Sequence, residues 1–107
     1  VSRQIKNLHT EASALGNLGK LYAAIGKLDE AMQCLQNSNE IAITIGAEEI
    51  QGRASWTIGV IYEMLQNPVE AINYMQFAVK IFRKYDHPEY SQASLHMRDL
   101  FLRYKST

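Results

Sequence analysis

The chain has 107 residues, of which 47% are hydrophobic and 21% charged, and its formal net charge is zero. This composition is typical of a soluble, folded chain and argues against disorder. A zero net charge favours neither nucleic acid nor an acidic membrane surface, and no apolar run approaches the roughly 20 residues that span a bilayer, so we expect no nucleic-acid partner and no membrane partner.

The first residues of the chain have two interpretations. Residues 1–9 are either the tail of a preceding helix or an N-terminal extension of the first helix. The first helix itself is expected to begin at Leu8 or His9 and to run to Ile25. A two-residue turn, Gly26-Lys27, ends it.

The stretch 15–38 predicts two helices that share one buried face. Apolar side chains recur there at three- and four-residue steps, which is the period of one side of a helix. They are Leu15, Leu18, Tyr22 and Ile25 before the turn and Leu28, Ala31, Met32 and Leu35 after it. The small residues Gly19 and Ala31 would lie where the two helices meet. The second helix is expected to reach Ile45, and Gly46 suits its C-terminal end.

The same pattern returns 40 residues later. Identical pairs at this shift are Gly19 and Gly59, Tyr22 and Tyr62, Glu30 and Glu70, Ala31 and Ala71, Gln36 and Gln76, and Ile41 and Ile81. Self-similarity at a fixed period is the signature of a repeat array. A second helix pair is therefore expected, from near Glu48 to Leu65 or Gln66 and from Asn67-Pro68 to about Tyr85. After Asp86-His87-Pro88, a last helix is expected from Glu89 to about Tyr104.

The paired motifs resemble the tetratricopeptide repeat. They are Leu18-Gly19-x-x-Tyr22…Ala31-x-x-x-Leu35 and Ile58-Gly59-x-x-Tyr62…Ala71-x-x-x-Met75, and the resemblance covers about residues 11–85. The period of 40 residues is longer than the family's usual unit of about 34 and resembles that of kinesin light chains and Pins-type adaptors.

The resemblance implies an all-α, right-handed solenoid of antiparallel helix pairs. It would form a single domain over 1–107, with repeats at 10–46 and 47–86 and a capping helix or a degenerate third repeat at 88–104. Because the chain begins at Val1 without a Met and two repeats are fewer than usual, we expect a fragment of a longer protein.

Candidate catalytic and metal-binding residues are scattered. His9, His87 and His96 do not lie at metal-ligand spacing from one another or from Cys34. We therefore predict no enzyme activity, no metal and no cofactor. Because a single cysteine can form no intrachain disulfide, we expect an intracellular, cytoplasmic location.

The resemblance implies that the first helix of each pair lines a groove that holds a partner. The predicted groove residues are Asn17, Lys20, Ala24, Arg53, Trp56, Thr57, Val60, Met64 and His96. The amide of Asn17 could hold a peptide backbone, or Asn17 could simply be an exposed helix residue. Trp56 could anchor a partner or pack against the helices of the preceding repeat.

The resemblance implies a protein–protein interaction module, an adaptor or scaffold that binds a peptide or helical segment. Lys20, Arg53, Trp56 and Met64 suit a segment that mixes acidic and apolar side chains. The alternative is a structural spacer or self-association unit, forming a homo-oligomer through exposed solenoid ends. A regulatory domain attached to a separate catalytic one is a third interpretation.

Overall fold

Five helices and no strand make up residues 2–106, the part of the chain that the computed structural model describes; side chains are described for residues 4–105. The helices are α1 (Ser2–Ala24), α2 (Leu28–Ile45), α3 (Glu48–Met64), α4 (Pro68–Lys84) and α5 (Tyr90–Ser106). The all-α prediction is confirmed.

Consecutive helices pack against each other along the chain. The closest partners are α1 with α2 and α3 with α4, and each pair also packs on the helix that follows it. The resulting body measures 51 × 30 × 19 Å, so the pairs are stacked along one direction rather than wrapped around a central core. This is the predicted solenoid-like arrangement of helix pairs.

Helix α1 begins earlier than expected. It begins at Ser2 rather than at Leu8 or His9. Residues 2–9, which could have been the tail of a separate preceding helix, belong to the same continuous helix as the residues after them. The reason is local: residues 2–8 contain no glycine or proline that would end a helix. Val1, the first residue of the predicted 1–9 segment, lies outside the described residues.

The turns repeat with the same period as the helices. Gly26 and Gly46 have φ values of 83° and 71°, and 40 residues later Gln66 and Asp86 have φ values of 59° and 51°. This left-handed backbone suits glycine and costs other residues roughly 1–2 kcal/mol. The chain therefore leaves each of its first four helices through one backbone conformation, with glycine at only two of the turns.

The buried face of α1 differs from the predicted one. Its buried residues are Ala12, Gly19 and Ala23, whereas Leu18 and Ile25, predicted to belong to the buried face, are 40% and 67% exposed. Helix α1 contacts only α2 and α3 among the described helices, and both lie on the side of the small residues. None of the described helices covers Leu18.

The aromatic and methionine positions expected in the core divide into two groups. Met75 is fully buried, whereas Tyr22, Met32 and Tyr62 are half-buried. Tyr62 stacks on Tyr74 with the ring centroids 5.6 Å apart, and the two rings cover the junction of α3 and α4. The half-buried side chains therefore lie at the edges of the helix pairs, whereas Met75 lies in their core.

Candidate partner-binding groove

A groove runs across the first helices of the pairs. It has a volume of about 570 Å³, and its walls come mainly from α1, α3 and the start of α5. Ser38 of α2 lies at its floor, where the buried hydroxyl donates a hydrogen bond to the carbonyl of Ala12 at 2.7 Å. That bond joins α1 to α2 beneath the groove.

Most of the predicted site residues line this one groove. They are Asn17, Lys20, Arg53, Trp56, Thr57, Val60 and His96. Ala24 and Met64 do not line it; both are exposed at the C-terminal ends of α1 and α3, one helical turn beyond Lys20 and Val60. Whether these residues contact a partner stays a prediction.

Two exposed cations lie on opposite walls of the groove, Lys20 on α1 and Arg53 on α3. The ion pairs formed by the described side chains lie elsewhere, on Glu48, Glu49, Glu63 and Asp99. Lys20 and Arg53 therefore have no carboxylate of residues 4–105 within 4.0 Å. Their charge is available to a ligand.

Trp56 is half-buried and packs toward the C-terminal end of the molecule. It contacts the apolar clusters that join α4 to α5, and its ring lies edge-on to that of His96, 5.7 Å away between centroids. Of the two alternatives for Trp56, packing against the preceding repeat is not the one these contacts favour, because they lie with α4 and α5. The rest of the indole lines the groove, so Trp56 both supports α5 and forms part of the wall.

Helix α5 is tied to α3 at the end of the groove. Glu63 accepts a hydrogen bond from Nε2 of His96 at 2.7 Å, and Nη2 of Arg103 lies 3.6 Å from its other carboxylate oxygen. His96 thus lines the groove but is already paired. In the turn before α5, the His87 ring stacks on Phe82 with the ring centroids 4.7 Å apart, and both side chains line the groove.

The amide of Asn17 has no amide equivalent in α3. Asn17 is exposed on α1, and the equivalent residue of α3 is Thr57, whose hydroxyl donates to the carbonyl of Arg53 in its own helix at 3.2 Å. A polar atom engaged within its helix offers less to a peptide backbone. Of these two equivalent positions, Asn17 alone presents an amide to the groove.

Sequence analysis predicted His96 of α5 but missed the other groove residues of α5 and of the turn before it. His87, Glu89 and Gln92 line the groove but were not predicted to do so. The missing signal is a change of register: α5 repeats α3 at a shift of 39 residues, not 40, which places Gln92 at the position of Arg53 and His96 at that of Thr57. At 40 residues the correspondence is lost.

A second cavity lies between the second helices of the pairs. It has a volume of about 480 Å³ and lies between Asn39 and Ile43 of α2 and Tyr74 and Phe77 of α4. The side-chain oxygen of Asn39 is buried there and has no hydrogen-bond partner. A polar atom of this kind costs folding free energy unless something pairs with it.

No group of three or more histidine, cysteine, aspartate or glutamate side chains within residues 4–105 is arranged to hold a metal ion. None of the five helices over 2–106 has the length and apolar character needed to cross a membrane.

Comparison with known proteins identifies the first helix pair. Residues 12–42, which take in most of α1 and α2, match the family model described as tetratricopeptide repeat. No curated protein and no solved structure matches the chain significantly. The match does not test the likeness to kinesin light chains and Pins-type adaptors, which stays a prediction. The first helix pair is therefore similar to a tetratricopeptide repeat, and the helices that follow it stack as further pairs.

Proposed function

We propose that this chain is an adaptor module that holds a segment of a partner protein in the groove between α1, α3 and α5. Tetratricopeptide repeats generally mediate protein–protein interactions. The observation that supports groove binding here is the pair of unpaired cations, Lys20 and Arg53, beside the half-buried indole of Trp56. No chemistry on the ligand is part of the proposal.

The ligand that suits this groove carries acidic and apolar side chains together. Carboxylates would pair with Lys20 and Arg53, and an apolar side chain would cover the indole of Trp56 and the neighbouring Val60. Charge complementarity of this kind speeds association and selects between partners, while the aromatic contact supplies buried area. An extended segment would also place a backbone amide beside Asn17.

The test is a selection of peptides from a random phage-displayed library on the immobilised chain. Selected peptides are then titrated against the chain in solution. Because Trp56 is the only tryptophan, its fluorescence reports occupation of the groove. We expect selected sequences to be acidic and apolar, and the double variant Lys20→Glu, Arg53→Glu to bind them at least about ten-fold more weakly, or by roughly 1.4 kcal/mol.

The matched control is Lys27→Glu, Arg83→Glu, which changes the net charge equally at two exposed positions outside the groove. This control should bind as the wild type does. Equal loss in both double variants would show a long-range charge effect and no groove site. Selection of no peptide, or full binding by the Lys20→Glu, Arg53→Glu variant, would contradict the proposal.

The second candidate function is a spacer or self-association unit within an assembly. The observation that favours it is the apolar surface of α1, where Leu18 and its neighbours are exposed. Sedimentation of the wild-type chain over a range of concentrations tests it. A concentration-dependent dimer that Leu18→Glu makes monomeric would support self-association; a monomer throughout would contradict it.

A cytoplasmic location belongs to the same proposal and is supported by the single cysteine, Cys34, which the structure leaves free. A fluorescent fusion of the chain tests it. Signal confined to a secretory compartment would contradict it.

A further inference from the structure

One apolar stripe occurs three times in the chain. Each copy is an alanine followed four and seven residues later by large aliphatic side chains, a spacing that places all three on one helical face. The copies are Ala14, Leu18 and Leu21 in α1, Ala54, Ile58 and Ile61 in α3, and Ala93, Met97 and Leu100 in α5. The α1 and α3 copies are 40 residues apart, and the α3 and α5 copies are 39 apart.

The second and third copies are covered by the helix pair that precedes them. In α3 the whole stripe is buried and packs against Ala31 and Leu35 of α2. In α5, Leu100 is buried and Met97 half-buried against the equivalent side chains of α4. The stripe is therefore the surface by which a first helix docks on the pair before it.

The first copy has no such cover among the described residues. Leu21 is 64% exposed, whereas its equivalent in α3, Ile61, is fully buried. Leu18 and Ala14 are exposed as well. This stripe is separate from the partner-binding groove, which faces the adjacent side of α1 through Asn17 and Lys20.

The surfaces that cover the stripe share one chemistry. On α2 it is Ala31-Met32-x-x-Leu35 and on α4 it is Ala71-Ile72-x-x-Met75, where the alanine is fully buried in both helices. The small residue lets two helix axes approach, and the aliphatic residues on either side fill the space between them. A tyrosine from the first helix of each pair, Tyr22 or Tyr62, completes the contact.

We propose that the α1 stripe is a docking surface for an antiparallel helix pair of a partner. The second helix of that pair presents an alanine followed by aliphatic residues one and four positions later, and its first helix supplies a tyrosine. The interface would continue, by one further step, the two interfaces already present within the chain. Binding would bury Leu18 and Leu21 as Ile58 and Ile61 are buried.

A folded second copy of this chain lacks a free surface of that kind. Its two candidate surfaces, on α2 and α4, are already occupied by α3 and α5. Helix α5 has no second helix after it within the described residues, and the position equivalent to the close-packed Gly59 is the exposed Arg98. The occupant is therefore a different helix pair.

The first test duplicates residues 8–47 in tandem within the full chain. At the junction Ala47 is followed by Leu8, which is equivalent to the Glu48 that follows Ala47 in the natural chain. The added helix pair therefore precedes the second copy of α1 as α1 and α2 precede α3. A cysteine replaces the second-copy Leu21 in a Cys34→Ser background. We expect this cysteine to be alkylated at least about ten-fold more slowly than the cysteine at position 21 of the unduplicated 107-residue chain.

The matched control is Leu95→Cys, another exposed leucine, on α5, which should be alkylated at the same rate in both chains. Equal alkylation of the cysteine at position 21 in the two chains would overturn the proposal. So would loss of alkylation in the unduplicated chain at high concentration, since a second copy would then cover the stripe.

A second test uses the chain at its natural length and does not depend on folding of the duplication. Designed helical hairpins, displayed as a library with the alanine-aliphatic pattern on their second helix, are selected on the immobilised chain. We expect binders that Leu21→Glu weakens at least about ten-fold and that Leu95→Glu leaves unchanged. No enrichment over hairpins with glutamine in place of the alanine, or equal binding by the two variants, would overturn the proposal.

Discussion

Gly19 lies so close to Leu35 that the two residues fix the distance between α1 and α2. A Cβ atom at Gly19 would stand 2.7 Å from Cγ of Leu35 and 3.2 Å from the carbonyl oxygen of Ala31. The second helix pair repeats this relationship between Gly59 and Met75, where the added atom would stand 2.9 Å away. The glycine is therefore a packing requirement at each crossing.

Gly19→Ala is expected to destabilise the chain. Alanine would gain about 1 kcal/mol of helix propensity, but overpacking a fully buried leucine costs typically about 1–3 kcal/mol, so the net change is a loss of up to about 2 kcal/mol. Urea unfolding followed by far-UV circular dichroism measures it. Gly16→Ala, in the same helix, meets only the Ser38 hydroxyl at 3.4 Å and should be neutral or stabilising. A gain in both variants would contradict the packing argument.

Gln66→Gly is expected to stabilise the chain. Gln66 has the left-handed backbone that its equivalent 40 residues earlier, Gly26, adopts as a glycine. Removing the Cβ relieves roughly 1 kcal/mol of strain, reduced by the larger backbone entropy that glycine has in the unfolded chain. Chemical unfolding measures the gain.

The reciprocal variant, Gly26→Gln, serves as the matched control. It introduces at the first turn the strain that Gln66→Gly removes, so it should lower the free energy of unfolding by about 1 kcal/mol. Changes of the same sign in the two variants would show that the turns are not equivalent.

The helix pairs could be predicted because the two signals used, the helical period of the apolar residues and the glycine or proline that ends a helix, are local in sequence. The period of Leu28, Ala31 and Leu35 and the breaks at Gly26 and Pro68 need no knowledge of what lies opposite. The same locality explains the error in α1. Leu18 and Ile58 have equivalent surroundings in sequence, yet among the described residues a preceding helix pair covers Ile58 and none covers Leu18.

The groove was partly predictable for a similar reason. Asn17 lies two residues before the close-packed Gly19, as Thr57 lies before Gly59, and Arg53 lies one turn before Thr57, so their side of the helix follows from the sequence. Trp56 and His96 were also predicted as groove residues, but the contact of Trp56 with α5 and the pairing of His96 with Glu63 did not follow from the sequence. They depend on the one-residue change of register that sets how α5 meets α3, and that change arises in the turn around His87, where no periodic pattern exists.

Asn39→Val is expected to stabilise the chain by about 1 kcal/mol. The Asn39 carbonyl oxygen is buried and unpaired, and an unsatisfied polar atom costs roughly 1–3 kcal/mol. The second pair has Val79 at the equivalent position, so the site accepts a valine. Part of the gain is lost because valine is a weaker helix former than alanine or leucine.

Thermal unfolding of Asn39→Val against Asn39→Ala separates the two contributions. Alanine removes the unpaired oxygen without filling the space, so its gain should be smaller than that of valine. A loss of stability in both variants would show that the amide is paired in solution, for example by a water in the neighbouring cavity.

The contact between Glu48 and the end of α4 is expected to make stability depend on pH. Glu48 accepts hydrogen bonds from Lys84 at 2.7 Å and from the Tyr85 hydroxyl at 2.5 Å. The Lys84 bond, followed by the Tyr85 bond, lowers the pKa of the Glu48 carboxyl, and the Glu48 bond raises the pKa of Lys84. The stabilising contribution of the Glu48 carboxylate is present above the ordinary pKa of a glutamate and is lost as the pH falls through the lowered pKa.

On the alkaline side the contribution of Lys84 is present below its ordinary pKa and is lost as the pH rises through the raised one. The melting temperature of Glu48→Gln should therefore fall below that of the wild type by a constant small amount between about pH 5.5 and 9.5, and the difference should shrink toward pH 3 and pH 11. It should also shrink in high salt, because the pair is exposed. Glu40→Gln, at an exposed carboxyl that forms no ion pair with the described side chains, should show no such window. A difference for Glu48→Gln that persists undiminished at pH 3 would mean that the carboxylate charge is not its cause.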